Sequence, residues 1–191
     1  MKNMPVALET PRLIVRLACQ KDVPQILQYL RDNDAFHRPF TPLPPAGWLT
    51  RDFWRGQVAR NFKHYQQGQA LRLFLFDRQS PGVVIGMANF TQFMGYPFYA
   101  CNLGYGLAEK KQGQGLMQEA LQAAIDHVFC TMNYHRIQAS YMPRNQRSGN
   151  LLKRLGFVIE GEAKNYLLIN GVWEDHILVS LTNPHWQLKD H

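Results

Sequence analysis

A pair of glycines two residues apart leads into an amphipathic helix in KKQGQGLMQEAL, Lys110 to Leu121. Free N–H groups at a helix start, together with the positive end of the helix dipole, attract an anion. Lys110 and Lys111 add positive charge at the rim, and Gly113 and Gly115 let a ligand approach bare backbone. Two familiar phosphate loops are excluded. A dinucleotide fingerprint needs a third glycine where this chain has Gln118, and a nucleoside-triphosphate loop needs Gly-Lys-Ser/Thr where Gly115 is followed by Leu116-Met117. The residues alone leave two readings open: a cradle for a phosphate held by neither motif, or a tight turn from strand to helix.

Other chemistry has less support. In NQRSGNLLKRLGF, Asn145 and Ser148 stand where a helix cap and a first-turn polar residue belong. Cys101 shares a strand face with Tyr99, Leu103, Tyr105 and Leu107, which suits a buried structural thiol better than a nucleophile. Cys130, at the end of an amphipathic helix, reads the same way. The seven histidines show no paired metal spacing, with His127 and His135 straddling a loop, so no metal is expected.

Strands and helices must position these residues. Leu13 to Leu17 reads as a first strand, and Asp22 can cap a helix to about Arg31 with Ile26, Leu27 and Leu30 on one face. Four prolines in NDAFHRPFTPLPPAGWL, residues 33–49, exclude regular structure there. A loop of that length serves as a substrate lip, or as a connection whose Phe36, Phe40 and Trp48 pack on the core. Thr50 opens a second helix to about Gln67, with Phe53, Trp54, Val58, Phe62 and Tyr65 read as core. Ala70 to Phe76 and Val83 to Phe90 form a hairpin across DRQSPG, and a third strand, about Phe98 to Leu107, runs into the glycine loop. The following helix, Leu116 to about Phe129, carries Leu116, Met117, Ala120, Leu121, Ala124, Ile125 and Val128 on one stripe. After it come a strand at Arg136 to Met142, the Asn145 helix ending at Gly156, and two strands joined at Asn170-Gly171, about Phe157 to Leu168 and Trp173 to Leu181. Helices alternating with a mixed sheet make a single α/β or α+β domain.

With 46% hydrophobic and 18% charged residues, the 191-residue chain is globular rather than disordered. A net charge of +7, from 21 Lys plus Arg against 14 Asp plus Glu, favours an anionic partner such as nucleic acid, a phosphorylated cofactor or an acidic surface. The basic residues are scattered, which leaves a basic protein without a nucleic-acid role equally open. Three cysteines, few and odd in number, argue against a disulfide framework and for a reducing compartment. MKNMPVALETPRL has no apolar run suited to a signal peptide, and no stretch approaches the roughly 18 apolar residues of a membrane span. A cytoplasmic protein with neither membrane nor DNA as partner is expected.

Several segments taken together carry a resemblance. The glycine loop is similar to the Arg/Gln-x-x-Gly-x-Gly/Ala signature of the GNAT superfamily of N-acetyltransferases, and NQRSGNLLKRLGF resembles the Asn-x-x-Ser…Lys/Arg-Leu-Gly-Phe segment of the same superfamily. TPRLIVRLACQKDVPQIL, LGYGL and EGEAKNYLLINGVWEDHILVSL resemble the branch that modifies the N-termini of ribosomal proteins. Order and spacing hold from about Leu8 to Trp186, which sets an expected domain of 8–186 with tails at 1–7 and 187–191.

The resemblance implies a mixed, mostly antiparallel sheet flanked by helices. It implies acetyl-CoA as cofactor, bound by Leu107, Lys110, Lys111, Gln112, Gly113, Gln114, Gly115 and Leu116, with Asn145 on the pantetheine arm and Ser148 donating to the sulfur. It also implies direct attack of an amine on the thioester, with a ribosomal protein as substrate and ribosome or ribosomal RNA as a further contact. Two positions depart from the pattern: Lys110 replaces the leading Arg or Gln, and Asn102 stands where relatives often carry a Glu that serves as base. Asn takes no proton at neutral pH, which leaves Tyr141, Glu160 and Tyr166 as candidate relay groups; Asn102, Tyr141 and Tyr166 are the expected substrate-side residues. An α-amino group, with a pKa of roughly 8, is about 10% neutral at pH 7, whereas a lysine is only about 0.04% neutral. A missing base is therefore tolerable for N-terminal acetylation and awkward for lysine acetylation. Two competing functions are acetylation of a small amine or antibiotic, and ribosome or RNA binding by a protein that retains the fold.

Overall fold

Alternation builds the first full strand: Leu13, Val15 and Leu17 enter the core while Ile14 and Arg16 turn to the opposite layer. The computed structural model describes residues 6–188. Within them lies one eight-stranded sheet made of β1 (Ala7–Glu9), β2 (Leu13–Leu17), β3 (Ala70–Asp77), β4 (Val84–Met94), β5 (Ala100–Leu107), β6 (Arg136–Tyr141), β7 (Val158–Ile169) and β8 (Val172–Thr182). Its order is β1-β2-β3-β4-β5-β6-β8-β7, antiparallel throughout except for β5 and β6, which run parallel. Four α-helices cover the faces: α1 (Val23–His37), α2 (Arg51–Gln66), α3 (Leu116–Asp126) and α4 (Gln146–Arg154). The expected mixed, mostly antiparallel sheet with flanking helices is what forms.

Two cores result. Leu13, Leu73, Phe90, Leu103, Leu121 and Leu152 belong to the larger one, between the sheet and α3 with α4. Val23, Ile26, Leu27, Val58, Phe74 and Phe76 form the smaller one under α1 and α2. No helix is long and apolar enough to cross a membrane, and no cluster of His, Cys, Asp or Glu suited to a metal occurs among the described residues.

Several sequence expectations need correction. The first helix runs on to His37 rather than stopping near Arg31, and a 3-10 turn, Arg38–Phe40, follows it. Pro39 is the first proline of the stretch, so nothing upstream of it breaks the helix. In α2 the aromatic stripe is only partly core: Val58 is buried and Trp54 packs edge-on against Phe74, but Phe62 is 38% exposed. The stripe is wider than the line of contact with β3. Cys130 is exposed rather than buried. Regular α-helix ends at Asp126; in the π-turn that follows, His127–Thr131, Val128 and Phe129 stay in the core while Cys130 faces out. The three-residue strand β1 was not foreseen; ALE is too short to show a period. Of the expected tails, residues 1–5 and 189–191 lie outside the described residues.

The feature that makes a site is the junction of β5 and β6. Their pairing holds from Ala100↔Arg136 to Asn102↔Gln138 and then ends. From there Leu103–Leu107 of β5 and Ala139–Tyr141 of β6 have no partner in each other, β6 staying on β8. An opening therefore runs from Asn102 toward the glycine loop, in the middle of the sheet.

Candidate active site

The glycine loop closes the far end of this opening. Leu107 ends β5 buried, and its carbonyl accepts from Gln112 Nε2 at 2.9 Å. Lys110 and Lys111 lie in a 3-10 turn, Glu109–Lys111. Lys111 Nζ pairs with Asp77 Oδ2 at 2.8 Å, so its charge is met within the fold and Lys110 is the cation left at the rim. That bond to Lys111 holds the Asp77 carboxyl below the ordinary range. Gly113 and Gly115 both have φ +74°, a conformation that favours glycine. A Cβ on Gly113 would meet nothing within 4 Å, and one on Gly115 only Arg12 Nη2 at 3.6 Å. The loop is thus open on its concave side. Leu116 opens α3 with Gly115 as its N-cap, and no side chain caps the exposed N–H groups. An uncapped helix start beside two bare glycines is a donor set for an anion.

A brace that was not foreseen fixes this loop to the N-terminal strands. The Glu119 carboxylate accepts from Thr10 Oγ1 at 2.6 Å and from the Arg12 backbone N–H at 2.8 Å, and ion-pairs with Arg12 Nε at 2.6 Å. Arg12 Nη1 then donates to the Gln114 carbonyl at 2.8 Å. Glu119 in the first turn of α3 was the visible signal; its partners, more than a hundred residues away, were not.

Across the opening stands the start of α4. Asn145 is its N-cap, with Oδ1 accepting the Ser148 N–H at 3.3 Å. Ser148 Oγ lies 2.8 Å from Tyr105 Oη, a contact between β5 and α4. Tyr141 lies flat on the same helix: a Cβ on Gly149 would come within 2.7 Å of its ring. Asn102 sits at the vertex where the pairing ends, and its Nδ2 donates to Gln92 Oε1.

The remaining relay candidates make other contacts. Glu160 accepts from Ser180 Oγ at 2.9 Å and ion-pairs with Arg136, whose hydrogen bond depresses its pKa. Tyr166 lies on β7 with its ring 5.7 Å from that of His176. Neither makes a hydrogen bond to Asn145 or Ser148 among the described residues. The Cys101 thiol is fully buried, and burial pushes it up to about 12, which excludes it as a nucleophile.

Of the aromatics in the Pro-rich stretch expected on the core, Trp48 packs there and Phe40 is exposed. Trp48 and Leu49 pack on the smaller core, while Arg38 and Pro39 form one wall of a cleft of about 390 Å³ beside the start of α4. Arg144 ties two sides of this cleft together: Nη1 donates to Glu174 Oε2 at 2.6 Å and Nη2 donates to the Pro39 carbonyl at 3.0 Å; its guanidinium also stands 5.9 Å from the Phe40 ring. Ile169 and Val172 complete the lining from the β7–β8 hairpin.

Comparison with known proteins gives the same picture. The model of the Acetyltransferase (GNAT) domain family matches residues 12–158. A [ribosomal protein uS5]-alanine N-acetyltransferase of Escherichia coli (strain K12) is 44% identical over 185 residues, 96% of this chain and 95% of that protein. The crystal structure of a ribosomal-protein-S5-alanine acetyltransferase from Vibrio fischeri superposes with a TM-score of 0.91 at 36% identity, over 96% of this chain and 100% of that one. A ribosomal L7/L12 alpha-N-protein acetyltransferase in complex with coenzyme A gives a TM-score of 0.82 at 25% identity, over 93% of this chain and 98% of that one.

Proposed function

The chain belongs to the GNAT acetyltransferase family, and from that membership we propose that it acetylates the N-terminal α-amino group of a ribosomal small-subunit protein beginning with alanine. The similarity to the uS5-alanine enzyme across 96% of the chain carries this reading. The proposed acetyltransferase domain spans 8–186.

Acetyl-CoA supplies the acetyl group as a thioester. The residues fit its pyrophosphate: the loop leads into the uncapped start of α3, and there is open space beside Gly113 and Gly115 that a side chain would fill. Lys110 adds charge at the rim, and Gln112 and Gln114 contribute backbone, their side chains being turned to the Leu107 and Lys110 carbonyls. The opening between β5 and β6 takes the extended arm of the cofactor. There Asn145 keeps Nδ2 for that arm while Oδ1 caps α4, and Ser148 Oγ holds a proton for the leaving thiol.

On the acceptor side, the cleft walled by Pro39, Arg144 and Glu174 receives the N-terminal segment of the substrate. Asn102 at the vertex orients the amine by hydrogen bonding and takes no proton. An α-amine, about 10% neutral at pH 7, needs little more than water to carry its proton away. Tyr141, at the end of β6 against Gly149 of α4, lines the opening rather than acting as base. Such an acceptor puts the enzyme in the cytoplasm. Contact with ribosomal RNA falls on the outer side of α2, where Arg51, Arg60 and Lys63 carry no ion pair among the described residues; such binding weakens steeply with added salt.

Intact-mass comparison of ribosomal proteins from cells with and without this gene tests the reading. One small-subunit protein is expected to lose an acetyl group in the deletion. Unchanged masses throughout, together with turnover of polyamines or aminoglycosides by the purified enzyme, would replace it with small-amine acetylation.

A further inference from the structure

Tyr105 belongs to no part of the reaction outlined above, yet it is the one side chain of β5 that hydrogen-bonds α4. Its Oη stands 2.8 Å from Ser148 Oγ and 3.3 Å from the Ser148 carbonyl oxygen, and the shorter contact takes its one hydrogen. Both contacts lie beyond Asn102, where β5 has parted from β6. The tyrosine ring packs on the larger core, which fixes the hydroxyl at its end.

We infer that Tyr105 is a positioning residue for acetyl transfer, orienting the Ser148 hydroxyl toward the leaving thiol. This rests on the reading of Ser148 given above. A serine hydroxyl has one hydrogen and two lone pairs. Asn145 Oδ1 holds the Ser148 N–H, and Tyr105 reaches its carbonyl and Oγ. With Tyr105 as donor, Ser148 Oγ accepts on that side and its own hydrogen turns away from β5, into the opening. Burial raises the Tyr105 hydroxyl to about 12, outweighing the lowering effect of the Ser148 bond, so it keeps its proton through the neutral range. The chemistry balances with Tyr105 neither gaining nor losing a proton. The C–N bond forms and the C–S bond breaks; the departing thiolate takes the Ser148 proton and leaves as the thiol; the proton released by the amine restores Ser148.

A double-mutant cycle separates this role from plain packing. Steady-state rates are measured with acetyl-CoA and an alanine-starting peptide for wild type, Tyr105→Phe, Ser148→Ala and the double variant. Phe keeps the ring in the core, and a melting curve for each protein confirms the fold. Tyr105→Phe is expected to lower kcat about fivefold, the scale of one neutral hydrogen bond, with KM for acetyl-CoA unchanged. In the Ser148→Ala background the same change should leave kcat where it is. An equal loss in both backgrounds, or wild-type kcat in Tyr105→Phe, overturns the inference while the Ser148 assignment stands. Wild-type kcat in Ser148→Ala alone overturns that assignment, and the inference with it.

Discussion

Placing valine at Gly113 or Gly115 separates the stability of the loop from its use. Both residues have φ +74°, and an L side chain held there costs about 1–2 kcal/mol. Steric cost is small: a Cβ at 113 meets nothing within 4 Å and one at 115 meets only the tip of Arg12 at 3.6 Å. For a chain of this length the strain corresponds to a melting point lower by about 2–8 °C. Binding should suffer far more. On the proposed cradle, the added side chain takes the space of the pyrophosphate beside backbone N–H groups, and charge-assisted hydrogen bonds are worth about 1.5–3 kcal/mol each. Losing two weakens acetyl-CoA binding on the order of 10²–10⁴-fold. Calorimetric titration with acetyl-CoA measures the affinity, and scanning fluorimetry without ligand measures the stability. Gly68→Val is the control, because Gly68 has φ +66° and open space around its Cβ but lies after α2. It should lose comparable stability and no affinity. A folded Gly113→Val or Gly115→Val with near-normal affinity would falsify the cradle.

Three further outcomes follow from the same geometry. Arg144→Ala releases Glu174, the Pro39 carbonyl and Phe40 together, and should raise KM for the acceptor peptide about tenfold or more while KM for acetyl-CoA stays put; steady-state kinetics with each substrate varied decides it, and equal changes in both would count against the cleft. A thiol reagent should modify two cysteines in the native protein, Cys19 and Cys130, and a third only after unfolding, because Cys101 is buried; three rapid modifications would contradict the fold. Burial raises the Glu119 carboxyl, but hydrogen bonds from Thr10 and Arg12 and the Arg12 charge outweigh it and leave the pKa depressed. The stability it contributes is present above the unfolded value of about 4.3 and is lost as pH falls through the lower folded value. Glu119→Gln should therefore melt lower at pH 7 and show a shallower decline on acidification; parallel pH curves would mean the brace carries no stability.

What could be read in advance was what is local. The glycine loop, the stripe of α3, the Asn145 cap and the Asn170-Gly171 turn depend on residues a few positions apart, where periodicity and backbone preference act. Errors arose where a local rule was stretched: prolines after Pro39 were allowed to end a helix that only Pro39 limits, and Cys130 was carried along a stripe that a π-turn interrupts. The contacts that finish the site are of another kind. Arg12 meets Glu119 across 107 positions, Tyr105 meets Ser148 across 43, and Arg144 meets Glu174 across 30. Each joins two elements whose relative placement only the assembled sheet defines. Nothing near Tyr105 in LGYGL distinguishes its hydroxyl from an ordinary apolar strand position.

The strand order also constrains how the molecule comes into being. β8 lies between β6 and β7, although it is made after both. During synthesis β1 to β5 can pair in the order they emerge, each beside the one before. β6 then has only its three-residue parallel contact with β5, and β7 has no neighbour, until Val172–Thr182 arrives and inserts between them. Chains released before Val172 would leave β7 unpaired and β6 held only by that three-residue contact, so both would present open strand edges to other chains.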